Sequence, residues 1–274
     1  MAITNFIPQI WSAALLTRFA ANEVVLPTVN RSYEGEARNG NRVNITSIAT
    51  PTVQDYKASG RTITPEALSD TQIPLLIDQE KAIAFKVDDV DRVQAAGSFE
   101  AVTADAARAL VEDAESYVLG KMMSEGTDDN GGDSPATIDS PSKAFDAVKT
   151  LRVALAKASV PASQRYLVVN PDFAGFLLSE ASKLTSADAA GSAGELRNGV
   201  LGNLLGFTVL ESPLLNPTKP TAVAYHTSAV AYVNQIERVE ALRDPDSFSD
   251  IVRMLHVYGA KVIRPAAVRV FASA

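Results

Sequence analysis

The 274-residue chain has no cysteine, only two histidines and a single tryptophan. Without cysteine it can form neither a disulfide, nor a thiolate nucleophile, nor a zinc site built on sulfur. The histidines, His226 and His256, do not have the spacing of metal ligands, so we interpret each as a packed or surface residue. The lack of cysteine also favours a reducing compartment.

Basic residues are in the minority: 25 lysines and arginines face 32 aspartates and glutamates, which gives a formal net charge of −7. Nucleic-acid binding draws most of its affinity from cations that neutralise phosphates, so sequence-specific DNA reading is disfavoured. No apolar run reaches the length of a bilayer span, and no basic leader precedes the apolar stretch near residue 10. We therefore expect neither a membrane span nor a secretory signal.

The sequence motifs of common catalytic and cofactor sites are absent, including G-x-S-x-G, H-E-x-x-H and the phosphate-binding loop. The acidic run "DDVD" from Asp88 is interpreted as a solvated turn. The run "DDNGGD" from Asp128 lacks the glycine and the glutamate that a calcium loop requires. We expect no cofactor, no metal and no enzyme. Because carboxylates are plentiful, an α/β hydrolase or transferase stays open as the alternative from another class.

Three glycines, Gly199, Gly202 and Gly206, punctuate the stretch "GVLGNLLGFTVLESPLL". A phosphate-binding loop follows a strand and opens a helix. These glycines instead follow the helix-like "ELRNGVLGNLL" and precede the strand-like "FTVLESP", and Gly206 stands where a helix would end in a left-handed residue. We predict that the glycines turn the chain and hold no ligand.

A long helix is predicted over residues 98–125, capped by Ser98 and ended by Gly126. At 1.5 Å per residue it would be about 42 Å long, which suggests a strut. The expected buried face holds Phe99, Val102, Ala106, Leu110, Ala114 and Tyr117. The expected exposed face holds Asp105, Arg108, Glu112 and Glu115.

Two segments before this helix lack a core of their own. Residues 33–68 carry the turn signal Asn39-Gly40 and a short apolar alternation, but too few large apolar residues to bury. An isolated ribbon is marginal in water, so this segment must lie on its own domain or on another subunit. Residues 7–20 form an amphipathic pattern around Trp11, which either docks on the chain's own core or lies on a neighbour.

The second half of the chain reads as α/β. A helix is predicted from near Ser142 to before Pro161, then the strand "RYLVVN" and a helix opened by Pro171. A strand at 222–225 follows, and the chain closes with the strands of "IERVEALRD" and "DIVRMLHVYGAKVIRPAAVRVFA".

Several of these stretches together resemble the major capsid proteins of tailed double-stranded-DNA phages, which have the HK-ninety-seven-type fold. The resemblance is collinear over nearly the whole chain. It rests on "FIPQIWSAALL", "YEGEARNGNRVNI", "LLIDQEKAIAFKVDDVDRVQA" and "GVLGNLLGFTVLESPLL".

The resemblance implies an α+β capsid fold with five parts. These are an N-terminal arm (1–32), an extended E-loop hairpin with flanking strands (33–80), a P-domain (81–141) with spine helix 98–125, an A-domain (142–234) with a central mixed sheet and flanking helices, and P-domain strands returning to the A-domain (235–274).

The function that the resemblance implies is that of a coat protein. It would self-assemble through a procapsid into an icosahedral shell of hexamers and pentamers enclosing packaged double-stranded DNA, without sequence-specific binding and without a membrane. The chain shows no long scaffolding segment, so a separate scaffolding protein is expected, with a portal and a possible decoration protein. Its place would be the virion capsid, assembled in the host bacterial cytoplasm. An encapsulin-like nanocompartment shell shares the fold and stays an alternative.

The resemblance also suggests assembly-interface residues: Trp11 in the arm, and Asp55, Tyr56, Lys57 and Arg61 near the E-loop tip. Some relatives crosslink this loop covalently through a lysine. The asparagine and carboxylate that such a crosslink requires from neighbouring subunits cannot be matched here, so we expect non-covalent contacts.

Overall fold

The computed structural model of the chain describes residues 24–35, 40–48, 51–62, 65–66, 70–89, 100–129, 137–179, 200–215 and 218–273. The predicted helix at 7–20 with Trp11, the cap at Ser98 and the glycine at Gly199 lie outside these residues, as do most of the acidic run after Asp89 and of the run after Asp128.

The longest helix, α1, spans Glu100–Glu125, which matches the predicted strut in type and extent. Its 26 residues contain no proline and reach about 39 Å. The first half packs Ala107, Leu110 and Val111 against one sheet. The second half packs Ala114 and Val118 against another, so one helix supports both sheets.

The larger sheet has six strands in the order β4-β11-β8-β5-β7-β6. Their ranges are β4 Thr127–Asp128, β5 Arg165–Val169, β6 Val200–Leu204, β7 Phe207–Glu211, β8 Thr221–His226 and β11 Val268–Ala272. Strand β5 runs parallel to β7, whereas β8 is antiparallel to both of its neighbours, β5 and β11. The sheet is therefore mixed, as the resemblance implies.

Helices cover both faces of this sheet, which is why its central strands are apolar throughout rather than alternating. All six residues of β8 are buried. Along β5, Leu167 and Val169 pack against helices α2 (Pro141–Lys157) and α3 (Pro171–Leu177), whereas Val168 faces α1. Proline occupies the first turn of α2 and of α3, where its missing N–H costs no hydrogen bond.

The smaller sheet has three antiparallel strands in the order β3-β10-β9, namely β3 Gln79–Asp88, β9 Val230–Arg243 and β10 Ser249–Val262. The strands β9 and β10 have 14 residues each, and their register shifts between Val257 and Tyr258. Along β10, Val252 and Met254 are buried, while the alternate Arg253 and Leu255 are exposed. One face of this sheet therefore carries α1, and the other is uncovered in the described chain.

Strands β1 (Arg42–Ile48) and β2 (Asp70–Leu76) form an antiparallel ribbon. Its root is anchored by Val43, Ile45 and Leu75, which pack with residues of β9 and β10. A side chain at Gly259 would place its Cβ only 2.2 Å from the backbone oxygen of Leu76. Glycine at that position lets the ribbon lie directly on β10.

The prediction of a helix before "FTVLESP" is wrong. Residues 200–211 form the hairpin β6–β7, and its two-residue turn is Leu205-Gly206, with φ of 52° and 85°. These positive angles suit the tight turn that matches strand twist. Gly202, with φ of 108°, lies where the register of β6 shifts. The apolar spacing of the sequence "GVLGNLL" fits a helical period as well as a strand, which explains the error.

Candidate assembly interface

The loop that joins β1 to β2 ends in a compact, internally hydrogen-bonded turn. Asp55 caps it: its Oδ1 accepts hydrogen bonds from the N–H groups of Lys57 and Ala58, at 3.0 and 3.1 Å. The backbone N–H of Arg61 donates to the backbone oxygen of Tyr56 at 2.9 Å. Gly60 and Arg61 both have φ of 65°. This is the pattern of one capped helical turn closed by a left-handed residue.

This turn brings four of the five sequence-predicted interface residues together. Tyr56 is 53% exposed, and the neighbouring Val53 is 95% exposed. The side chains of Lys57 and Arg61 are also exposed. Because the backbone of this turn is already ordered, it loses little conformational entropy when it binds a neighbouring subunit. Its exposed apolar and cationic side chains therefore suit an interface. The sequence suggested the residues but not the turn, whose signal is the spacing from Asp55 to Gly60.

The segment preceding the ribbon is held by a buried carboxylate. Glu115 is 4% exposed, so its predicted place on the exposed face of the helix is wrong. Its Oε1 accepts hydrogen bonds from the N–H groups of Val24 and Val25, both at 2.6 Å. Burial raises the pKa of Glu115, and the backbone N–H groups oppose that rise. Glu115 thus fixes where residues 24–30 join the core.

Further contacts continue this anchorage. The hydroxyl of Thr28 lies 2.5 Å from that of Tyr225, which is fully buried in the six-stranded sheet. Asn30 then bonds through its backbone to β9: its N–H donates to the Val230 oxygen, and its oxygen accepts from the Tyr232 N–H. The segment therefore leaves the core from a fixed point.

The tip of the β9–β10 hairpin is a second exposed element, and it was missed by the sequence analysis. Arg243 forms ion pairs with Asp89 at 2.5 Å and Asp250 at 3.1 Å, so the carboxylate of Asp89 is occupied by an arginine. Those hydrogen bonds raise the pKa of Arg243. Phe248 projects from the tip, 80% exposed. An aromatic residue amid "DPDSFSD" was the available signal.

Among the described residues, no three histidine, aspartate or glutamate side chains converge as metal ligands. His256 is buried against Tyr258, with ring centroids 4.6 Å apart, and burial lowers its pKa to about 4. His226 caps a short turn through its Nδ1, which accepts from the Ser228 N–H. Both histidines are packed residues. None of the described helices has the length and apolarity for a bilayer span.

Comparison with protein families gives one match: residues 72–271 fit a family model described as phage capsid protein. Among solved structures, one from Mycobacterium phage Che8 is 49% identical, covers 91% of this chain and 90% of its own, and superimposes with a TM-score of 0.77. No curated protein matches.

More distant structures share the fold. The capsid of cyanophage P-SCSP1u, at 13% identity, covers 86% of this chain and 84% of its own with a TM-score of 0.67. A virus-like particle from Pyrococcus furiosus, at 14% identity, covers 97% and 99% with a TM-score of 0.66.

Proposed function

The chain belongs to the phage capsid protein family, and from that premise we propose that its subunits associate as hexamers and pentamers, tied together by the β1–β2 ribbon and its capped turn. The coat-protein role, the HK-ninety-seven-type α+β fold and a place in the virion capsid follow from the family. The family is structural, so the hydrolase or transferase interpretation is not favoured. An encapsulin-like shell is not favoured either, because the strong identity is to a phage protein.

The observation that carries the proposal is the ribbon itself. Only its root is buried, and the loop beyond residue 48 presents exposed side chains on a preformed turn. Val53 and Tyr56 would be an unexplained apolar exposure on an isolated subunit. In a shell, such contacts are weak singly but are repeated at every subunit.

The division of the chain is proposed on the same basis. The arm is 1–32 and the E-loop 33–80, and α1 with the three-stranded sheet supports a P-domain at 81–141 and 235–274. The six-stranded sheet with α2 and α3 supports an A-domain centred on 142–234. Trp11, in the arm, is proposed as a further interface residue.

The remaining partners are likewise proposed. A separate scaffolding protein, a portal and a possible decoration protein would complete the particle, which would assemble in the host bacterial cytoplasm. Double-stranded DNA would be packaged without sequence reading, consistent with a net charge of −7.

Negative-stain microscopy with size-exclusion chromatography tests the proposal. We expect shells from the wild-type chain and only capsomers or subunits from Arg61→Glu, with an unchanged Tm of the free subunit. Arg61→Lys is the matched control, because it keeps both the charge and the backbone φ of 65° at this position. Normal shells from Arg61→Glu would remove the capped turn from the interface.

A further inference from the structure

Charges are unevenly distributed along the chain. Residues 147–171, 212–236 and 251–274 contain four, one and four lysines or arginines. They contain none of the 32 aspartates and glutamates, although together they make up more than a quarter of the sequence. The net charge of −7 therefore conceals three purely basic stretches in an otherwise strongly acidic chain.

The fold brings parts of all three stretches to one end of the six-stranded sheet. Arg165, the first residue of β5, is paired in register with His226, the last residue of β8. Arg264 lies just before β11, and its N–H donates to the Ala229 oxygen at 3.2 Å. Arg152 and Lys157 lie in the last turns of α2, which leads into β5. We call these five residues the basic end.

Arg165 lies at the centre of the basic end and is 8% exposed. Its Nε donates to the Pro161 oxygen at 2.7 Å and its Nη2 to the Val160 oxygen at 2.5 Å. Among the residues that the structure describes, no carboxylate pairs with it. Burial and then the positive charge of Arg152 lower the pKa of Arg165.

His226 has similar surroundings. Burial lowers its pKa first, followed by the charges of Arg165 and Arg264. The charged groups that act on Arg165 and His226 are thus cations. Gathering like charges without a counter-charge costs free energy, and an external anion would offset that cost.

The outer members of the basic end, Arg152, Lys157 and Arg264, are exposed. Within the described ranges none of them forms an ion pair. The arginines of the three-stranded sheet differ: Arg253 pairs with Glu240 at 2.5 Å, for example. The basic end therefore presents cations that no carboxylate in the described part of the chain neutralises.

We propose that the basic end binds the phosphate backbone of double-stranded DNA without reading its sequence. The proposal rests on the proposed packaging function and assigns it a site on the subunit. Each exposed cation can neutralise one phosphate, so the contact is weak per subunit and strongly dependent on salt. The acidic remainder of the chain keeps the wall from holding DNA tightly.

Other anionic partners fit this surface less well. A protein partner needs an apolar interface core, but Val153, 44% exposed, is the one large apolar side chain exposed on the described part of α2. The loop beside it presents Ser159, Ser163 and Gln164. Single-stranded nucleic acid would need aromatic stacking, and the aromatics that are exposed in the described ranges, Tyr56 and Phe248, belong to other elements.

Fluorescence anisotropy of full-length, unassembled subunits with a labelled mixed-sequence DNA duplex tests the proposal. We expect a slope of log affinity against log salt of about −3, from three phosphate contacts. Arg152→Gln/Lys157→Gln should reduce the steepness by about 2 and weaken binding at least about tenfold at 0.1 M salt. The control Arg108→Gln/Lys143→Gln also removes two positive charges, but each of these cations forms an ion pair with a nearby carboxylate. It should change the affinity for the duplex less than about twofold.

The inference would be overturned by an unchanged slope of log affinity against log salt in Arg152→Gln/Lys157→Gln. An equal loss of duplex affinity in both double variants would also overturn it. Competition by polyglutamate at a lower charge concentration than duplex DNA, abolished by the same variants, would instead identify an acidic protein partner and also overturn it. Shell formation is scored separately by microscopy. Shells from a chain without duplex binding refute this inference alone. Failure of the wild type to form either capsomers or shells refutes the proposed function and leaves the duplex titration to decide the inference.

Discussion

Glu115→Ala is expected to loosen the segment that leads into the ribbon. The substitution removes the oxygen that accepts hydrogen bonds from the N–H groups of Val24 and Val25, both at 2.6 Å. Alanine cannot replace that acceptor, and the N–H of Val25 lies in a buried setting that water does not readily reach. The N–H of Val25 would then lack a partner in a buried setting, and the half-buried N–H of Val24 would lose its partner as well.

The expected cost follows from these donors. A buried, unpartnered N–H costs about 1–3 kcal/mol. The half-buried N–H of Val24 adds a smaller cost and the removal of a desolvated carboxylate recovers part, so we expect a loss of about 1–3 kcal/mol in the free energy of unfolding. Glu112→Ala is the matched control, one turn away on the same helix. Glu112 pairs with Arg108 at 2.8 Å on the surface, and its loss should cost less than about 1 kcal/mol.

Two measurements check this prediction: urea unfolding of the unassembled subunit, and hydrogen exchange over residues 24–30. Because burial raises the pKa of Glu115, the folded state binds its proton more tightly than the unfolded state. The difference in the free energy of unfolding between wild type and Glu115→Ala should therefore increase as the pH falls toward 4.5, the ordinary pKa of glutamate. Equal unfolding free energies for Glu115→Ala and Glu112→Ala, with unchanged protection at Val25, would refute the reasoning.

Three further predictions concern other parts of the subunit. Gly259→Ala should displace the ribbon root, lower the Tm and impair shell formation, because the new Cβ would lie 2.2 Å from the backbone oxygen of Leu76. In the control Gly120→Ala the new Cβ has no atom within 4 Å, so the Tm measured by calorimetry should not fall. Burial lowers the pKa of His256 from 6.5 to about 4, so its neutral form stabilises the fold above pH 6.5, and about 3 kcal/mol should be lost by pH 4 in wild type but not in His256→Phe, as urea titrations would show. Shells boiled in detergent with reductant should run as one band near 29.1 kDa, and a ladder of multiples would revive the hypothesis of a covalent crosslink.

Much of the secondary structure was predictable because each element carries its own signal. The strut, the helix predicted from near Ser142, the helix opened by Pro171 and the buried strand at 165–169 lie where periodicity, proline position and apolar runs placed them. The helix phase was predictable only in part. Leu110 is buried as expected, but Glu115, one turn after the buried Val111, is buried as well, because its hydrogen-bond partner is a backbone segment about 90 residues earlier in the chain.

The candidate interface was less accessible to sequence reasoning. The turn capped by Asp55 depends on hydrogen bonds within residues 55–61, for which the segment offered no apolar period. The hairpin β6–β7 uses Leu205-Gly206 in place of the more usual Asn-Gly, so its turn signal was weak. The basic end combines residues from three distant stretches, which only the pairing of β5, β8 and β11 brings together.

The strands β9 and β10 run continuously from the six-stranded core to the exposed hairpin tip, over about 45 Å. A load applied at Phe248 along their length would be carried by both strands together, because the turn that holds Phe248 joins them. The strands β9 and β10, together with α1, therefore connect the two sheets mechanically. The change of register between Val257 and Tyr258 is the one place along the described β9–β10 ladder where the strands can bend without breaking their hydrogen-bonded pairs.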